Sequence, residues 1–154
     1  MSTKQPKKFS KMPEESSGCD RPPHILLIED DEEMLNMLSE ALIQEGYRVT
    51  KCTKALDWLL SCIHNSGGNM SSGTDNRFDV VISDIRMPKM GGLDALRIIN
   101  DLNCAEVCPP TILITAFGDE ETHSMARILG AAEVLDKPFD INDLIQNVRK
   151  LVSP

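Results

Sequence analysis

A short, largely apolar stretch that ends on a carboxylate constrains the fold of this chain more than any other feature. The stretch Val80–Ser83 leads directly to Asp84, and Pro88 follows four residues later. Apolar runs of this length are typical of strands buried on both faces of a parallel sheet. Ligands of such sheets bind beyond the carboxyl ends of the strands. We therefore expect Asp84 at a strand tip, where its charge is available for chemistry.

The same pattern recurs along the chain. It predicts strands at 24–28, 47–49, 78–83, 111–114 and 132–135. The stretches between and after them repeat apolar residues at helical spacing, and in the second helix the expected core face is Leu56, Leu59, Leu60 and Ile63, with Trp58 beside it. Acidic residues in first turns and Asp140 before the last helix indicate helix starts. Five alternations of strand and helix predict a doubly wound α/β domain of three layers, with a five-stranded parallel sheet in the flavodoxin-like order 2-1-3-4-5.

The distribution of charge divides the chain in two. Residues 1–23 carry five basic and three acidic residues with little to bury, which predicts a disordered leader before a domain spanning 24–152. The rest has 11 basic and 21 acidic residues, so its net charge of −10 argues against direct nucleic-acid binding. Such a surplus of carboxylates suits a protein that binds a divalent cation.

The cysteines and the apolar runs bear on the compartment. Five cysteines at irregular spacing, without a signal peptide, are typical of reduced thiols in a cytoplasmic protein. The pair Cys104 and Cys108 lacks a second ligand pair at zinc spacing, so we do not predict a zinc site. No apolar run reaches the length of a membrane span.

Five polar side chains follow the predicted strands. Glu29 and Asp30 follow the first, Asp84 the third, Thr115 the fourth and Lys137 the fifth. Each has an ordinary structural explanation by itself, but the ends of parallel strands share one edge, so all five should converge. Crowded carboxylates repel one another unless a cation neutralises them, and oxygen ligands favour Mg²⁺. With a hydroxyl and an ammonium nearby, the group could receive a phosphoryl group.

With these residues, the chain resembles the response-regulator receiver domains of two-component signalling. The resemblance covers about residues 24–152, and the matching segments are Ile25–Asp31, Ser83–Leu93, Ile114–Ala116 and Lys137–Phe139. It implies that Asp84 accepts a phosphoryl group from a histidine kinase, a phosphotransfer protein or a small phosphodonor. It also implies that Thr115 turns toward that group and that Lys137 pairs with it, and that the bond from Lys137 to Pro138 is cis.

The same resemblance implies a Mg²⁺ site. Asp30, Asp84 and the backbone carbonyl of Arg86 would bind the ion directly, and Glu29 would act through water. Arg86 also forms part of a second hypothesis, in which its side chain and that of Phe117 shield the acyl phosphate from water.

The chain departs from the family pattern at three places. Val134 stands where the family carries an aromatic switch residue, which puts the usual coupled movement of threonine and aromatic ring in question. The Gly/Ser-rich loop at 65–76 is longer than usual, and Gly91 occupies a position where an acid is common, a change expected to cost little.

We therefore expect a phosphorylation switch, whose only catalysis is its own phosphoryl transfer and autodephosphorylation. The surface of the fourth helix, fifth strand and fifth helix would act on an output domain or a protein target. The first alternative is a receiver-like interaction module that works without phosphorylation. The second, a metal-dependent phosphatase, lacks a general acid near Asp84 because Arg86 cannot serve as one. The sequence leaves open whether the chain is a monomer or a homodimer, and whether it is a complete regulator.

Overall fold

The computed structural model describes residues 21–66, 77–87, 89–103, 108–116 and 118–152. The predicted leader therefore lies outside the described residues up to position 20, and the predicted loop at 65–76 lies outside them from position 67 onward. Within the described ranges, five strands alternate with five helices.

The strands form one parallel sheet. They are β1 (His24–Ile28), β2 (Arg48–Cys52), β3 (Val80–Asp84), β4 (Thr111–Thr115) and β5 (Glu133–Asp136), and their order in the sheet is β2-β1-β3-β4-β5. This confirms the predicted topology. The third strand begins two residues later than predicted, because Phe78 packs its ring on that of His24, with ring centroids 4.6 Å apart, and the Asp79 carboxylate accepts a hydrogen bond from the backbone N–H of His24.

Aspartates begin three of the helices. The helices are α1 (Glu32–Gln44), α2 (Ala55–Ser66), α3 (Gly92–Asp101), α4 (Glu120–Ile128) and α5 (Ile141–Val152). The side chains of Asp31 and Asp119 accept hydrogen bonds from the first-turn N–H groups of α1 and α4, and Asp140 accepts one from Asn142 before α5. Each satisfies a backbone donor that the helix itself leaves unpaired. Among the helices of the described residues, none combines the length and the apolar character that crossing a bilayer requires.

The sheet is buried on both faces, because alternate residues of its central strands enter different cores. On β1, Leu26 and Ile28 belong to the core under α2, α3 and α4, whereas Ile25 and Leu27 belong to the core under α1 and α5. This explains why the central strands read as continuous apolar runs rather than as alternating ones. The arrangement leaves the strand ends as the only part of the central sheet where polar side chains can collect.

The buried face of α2 differs from the one predicted. Ala55, Trp58, Leu59 and Cys62 are buried, whereas Leu56, Leu60 and Ile63 are each at least 39% exposed. The helix is apolar around most of its circumference, so periodicity alone did not define its inner face. Trp58 and Cys62, one turn apart, both face the sheet and set the rotation of the helix.

The prediction that the cysteines are reduced is wrong for one pair. Cys62 of α2 and Cys108, which precedes β4, are joined as a disulfide with their Cα atoms 5.7 Å apart. The pairing links residues 46 positions apart, a contact that depends on the packing of α2 and leaves no local signal in the sequence. Among the cysteines of the described residues, Cys52 is the one with a free thiol.

Candidate functional site

Three carboxylates meet at the carboxyl end of the two central strands. Ile28 pairs with Ser83 across β1 and β3, so the residues that follow them emerge side by side. Glu29, Asp30 and Asp84 each offer an oxygen, and these atoms lie within 4.8 Å of one another. Glu29 and Asp84 are buried, whereas Asp30 is exposed. The predicted convergence of the acids is therefore present.

Lys137 joins this cluster from the end of β5. Its Nζ lies 2.7 Å from Oδ2 of Asp84 and 3.6 Å from Oε1 of Glu29. The backbone N–H of Lys137 donates to the carbonyl oxygen of Thr115 at 2.8 Å, and the following bond to Pro138 is cis, as the resemblance implies. The β5 tip thereby delivers an ammonium group to the central acids from two strands away.

The acids and the lysine perturb one another. Burial and, after it, the neighbouring charge of Asp84 together raise the pKa of Glu29 to about 7, against the opposing effect of Lys137. Burial by itself lowers the pKa of Lys137, but the hydrogen bond to Asp84 and the charges of both acids outweigh it, so the pKa is raised. The lysine is therefore charged, and the cluster has more negative than positive charge.

The donor set fits a small divalent cation. Oε1 of Glu29 is buried and has no hydrogen-bond partner among the described residues. Nζ of Lys137, 3.6 Å away, forms an ion pair with this oxygen but not a hydrogen bond, and a buried carboxylate oxygen without a hydrogen bond carries a desolvation cost of about 1–3 kcal/mol or more. A cation held by Glu29, Asp30 and Asp84 would supply the missing partner, and oxygen-only ligands with one exposed side suit Mg²⁺.

The remaining predicted site residues lie close by. Thr115 ends β4 and is fully buried, and Asp84 pairs with its neighbour Ile114 in the sheet. The backbone N–H of Arg86 donates to Oδ1 of Asp84 at 2.9 Å, and the Arg86 side chain is exposed. Phe117, the second residue of the shielding hypothesis, lies outside the described residues.

Gly91 contributes more to the site than its sequence position indicated. A Cβ atom at this residue would overlap the backbone carbonyl of Ile85, immediately after the phosphoacceptor candidate Asp84. Gly92 is similarly close, because its Cβ would lie 2.8 Å from Oγ of Ser83. An acid at position 91 therefore does not fit this loop without a shift of the backbone. The expectation that glycine costs little at this position stays a prediction.

One polar contact beside the site was not anticipated. His123 of α4 places Nε2 2.9 Å from Oδ1 of Asp136, the last residue of β5. The two residues are 13 positions apart, and neither belongs to a motif that the sequence made conspicuous. Asp136 immediately precedes Lys137, so the contact adjoins the site.

Comparisons with known proteins agree with this geometry. The family model described as the response regulator receiver domain matches residues 25–149. The transcriptional regulatory protein CpxR of Escherichia coli strain K12 is 29% identical over 128 residues, covering 83% of this chain and 48% of that protein. The regulatory protein AtoC of the same strain is 32% identical over 120 residues, covering 78% of this chain and 23% of that protein. The chain thus spans half or less of the length of these relatives.

Solved structures of similar sequence have the same fold. The non-phosphorylated receiver domain of HemR from Leptospira biflexa is 29% identical with a TM-score of 0.65, covering 86% of this chain and 95% of that one. A response regulator receiver domain protein from Clostridium thermocellum is 28% identical with a TM-score of 0.68, covering 84% and 94%. Since the family model covers most of the chain and the strand-tip residues converge as the family's fold requires, this chain belongs to the response regulator receiver domains, a family of signalling switches.

Proposed function

We propose that the domain accepts a phosphoryl group on Asp84 and passes the resulting change to a partner. The observation that carries this proposal is the arrangement at Asp84, whose Oδ2 lies 2.7 Å from the Lys137 ammonium and whose neighbours Glu29 and Asp30 supply the oxygens of a cation site. Such an arrangement neutralises the charge of an incoming phosphoryl group on two sides.

Each residue then has a defined part in the transfer. An oxygen of Asp84 attacks phosphorus, and the bond from phosphorus to the nitrogen of a phosphohistidine, or to the leaving oxygen of a small donor, breaks. The product is an acyl phosphate on Asp84. Lys137 pairs with a phosphoryl oxygen, and the Thr115 hydroxyl donates to another.

Glu29, Asp30, Asp84 and the Arg86 carbonyl would hold Mg²⁺ beside the acceptor, with Glu29 acting through water. When bound, the ion supplies positive charge to the phosphoryl oxygens and offsets the repulsion among the carboxylates. The pKa of about 7 at Glu29 indicates how strongly that repulsion and burial disfavour the ionised cluster by itself.

The proposed partners are a sensor histidine kinase or phosphotransfer protein on the input side, and an output domain or protein target on the surface of α4, β5 and α5. We place the domain in the cytoplasm, a compartment that would keep Cys62 and Cys108 reduced, with no direct role in nucleic-acid binding and none at a membrane. A homodimer through the same surface is compatible with the proposal.

One observation favours a second function. Val134, at the position of the aromatic switch, is buried in the same core as Ala126 of α4. A receiver-like module that binds partners without phosphorylation would need no aromatic switch there. Conversely, such a module would have no use for a lysine 2.7 Å from Asp84 or for a buried Glu29 oxygen that has no hydrogen bond among the described residues.

The deciding experiment is incubation with acetyl phosphate, with and without Mg²⁺, followed by intact-protein mass spectrometry. We expect the wild-type protein to gain the mass of one phosphoryl group only with Mg²⁺, and Asp84→Asn to gain none. Asp101→Asn, an exposed acid at the end of α3, is the matched control and should behave as wild type. An unchanged wild-type mass in both conditions would favour the phosphorylation-independent module, and an equal gain in Asp84→Asn would move the acceptor elsewhere.

A further inference from the structure

The fourth helix is attached to the sheet by much less buried surface than the fifth. Ala126 is the one buried residue of α4, whereas α5 buries Leu144, Ile145 and Val148. Ile128 of α4 is 76% exposed. Because burial of large apolar side chains is the main restraint on a helix, α4 can move at lower free-energy cost than α5.

A polar contact provides part of the restraint that burial does not. Nε2 of His123 lies 2.9 Å from Oδ1 of Asp136, which joins the middle of α4 to the tip of β5. The His123 side chain is 19% exposed and that of Asp136 is 52% exposed. Partly shielded contacts of this kind have a defined geometry but remain weak enough to be rearranged.

Asp136 also contacts the loop that leads into α4. A Cβ atom added to Gly118 would overlap the carboxylate of Asp136, so this side chain lies directly against the Gly118 backbone. A single carboxylate therefore contacts both the loop before α4 and the helix itself. Any shift of Asp136 changes both contacts together.

The backbone of Asp136 is in turn connected to the site. Asp136 pairs with Thr115 in the sheet, and the next residue, Lys137, donates its N–H to the carbonyl oxygen of Thr115. The Lys137 ammonium donates a hydrogen bond to Oδ2 of Asp84. A chain of direct contacts thus runs from Asp84 through Lys137 and Asp136 to His123.

We propose that the contact between His123 and Asp136 positions α4 according to the state of Asp84. The inference rests on the function proposed above. A phosphoryl group on Asp84 moves the bonding partner of Lys137 outward, from the carboxylate oxygen to the phosphoryl oxygens. The tip of β5 follows the lysine, the His123–Asp136 contact is rearranged, and the lightly anchored α4 shifts while α5 stays in place.

The test uses beryllofluoride with Mg²⁺ as a probe for the phosphorylated state. Binding is followed by ¹⁹F NMR, and amide hydrogen exchange is measured on peptides from α4 and, as an internal reference, from α5. In the wild-type protein we expect the probe to change exchange in α4 by roughly fivefold or more, a typical size for coupling between sites. Exchange in α5 should stay nearly constant.

Three substitutions isolate the contact. In His123→Ala and in Asp136→Ala the probe should still bind, but the response of α4 should fall below about twofold. His123→Gln, which keeps an N–H donor near the position of Nε2, should retain most of the response, a rescue that a merely structural role would not produce. Ser124→Ala, an exposed neighbour on α4, is the matched control and should respond as wild type.

The outcomes separate this inference from the proposed function. If the wild-type protein shows no bound beryllofluoride, the proposed function fails and the inference with it. If the probe binds and α4 responds equally in wild type, His123→Ala and Asp136→Ala, the inference alone is overturned. Using both sides of the contact keeps the test decisive should one of the two alanine variants fold poorly.

Discussion

The two ends of the sheet each carry a buried titratable side chain, and the two side chains differ in their hydrogen bonding. At the amino end, the ring of His24 is bonded on both sides, to the carbonyl of Arg77 at 3.2 Å and to the hydroxyl of Thr50 at 2.7 Å. At the carboxyl end, Oε1 of Glu29 is buried without a hydrogen-bond partner in the part of the chain that the structure describes. Both groups are buried and titratable, but one is satisfied internally and the other is not.

The disulfide adds to the same contrast. Helices that connect parallel strands run back toward the amino end, so Cys62 near the end of α2 and Cys108 before β4 both lie there. Among the described residues, the amino end thus carries a cross-link and a His24 ring with both nitrogens hydrogen-bonded, whereas the carboxyl end gathers three carboxylates around one lysine. The disulfide and the bonded His24 ring stabilise the fold at the amino end, whereas the crowded acids of the carboxyl end are the unfavourable arrangement that the proposed Mg²⁺ site would require.

The largest effect on stability is expected at the amino end, from reduction of the disulfide between Cys62 and Cys108. Opening a cross-link between residues this far apart should lower the free energy of unfolding by about 2–4 kcal/mol. Denaturant unfolding with and without a thiol reductant measures it. Cys108→Ser is the control, since it should already be destabilised and insensitive to the reductant. Identical unfolding of the wild-type protein in both conditions would mean that the disulfide does not stabilise the fold.

The next effect is that of His24→Ala. The substitution leaves the Arg77 carbonyl and the Thr50 hydroxyl without their partner and removes the ring that packs on Phe78, so we expect a loss of about 2–3 kcal/mol. At the other end of the sheet, Asp30→Asn should change stability by less than about 0.5 kcal/mol, because the side chain is exposed. Chemical denaturation of both variants compares the two ends of the sheet directly. Equal losses in the free energy of unfolding would contradict the difference between the ends.

A smaller effect, of opposite sign, is expected for Glu29→Gln. The pKa of Glu29 is raised to about 7 in the fold, so its contribution to stability is fully present below the unfolded value near 4.5 and is lost as the pH rises through 7. Above pH 7 without Mg²⁺, the ionised Glu29 carboxylate therefore lowers the free energy of unfolding. The neutral amide should stabilise the protein there by about 1–2 kcal/mol and weaken Mg²⁺ binding.

Measuring the free energy of unfolding from pH 5 to pH 8 tests whether ionisation of Glu29 destabilises the protein. The stability of the wild-type protein should decline across that range relative to Glu29→Gln, whereas Glu40→Gln, an exposed glutamate in the middle of α1, should run parallel to wild type. His24 acts in the opposite direction, because burial and the charge of Arg48 lower its pKa and stability is lost as the pH falls below 6.5. If the stability of Glu29→Gln depended on pH as that of the wild-type protein does, ionisation of Glu29 would not be unfavourable in the fold.

Much of the fold and of the candidate site could be predicted from the sequence, for physical reasons. The strands, their order and the convergence of Glu29, Asp30, Asp84 and Lys137 follow from apolar periodicity and from the rule that parallel strands share one functional edge. Periodicity could not orient α2, since that helix is apolar on most sides. It also could not pair Cys62 with Cys108, because that contact depends on how two elements distant in the chain pack.

Contacts between side chains were the second kind of feature that the sequence could not predict. The sequence presents His123 as one histidine on a helix, and the value of its contact with Asp136 becomes apparent only from the poor burial of α4. Likewise, Gly91 reads as a mild departure from a pattern until the carbonyl of Ile85 is found beside it. In both cases the decisive information is the shape of the neighbouring backbone, which no local pattern encodes.

We infer that Mg²⁺ binds at the carboxyl end of the sheet and offsets the repulsion among Glu29, Asp30 and Asp84. Calorimetric titration with Mg²⁺ at pH 6, in buffers of different ionisation enthalpy, tests it most directly. We predict that one ion binds the wild-type protein and that about one proton is released from Glu29, whose pKa near 7 keeps it largely protonated beforehand. We also predict that binding is lost in Asp84→Asn. No binding by the wild-type protein, or binding that persists unchanged in Asp84→Asn, would contradict the claim.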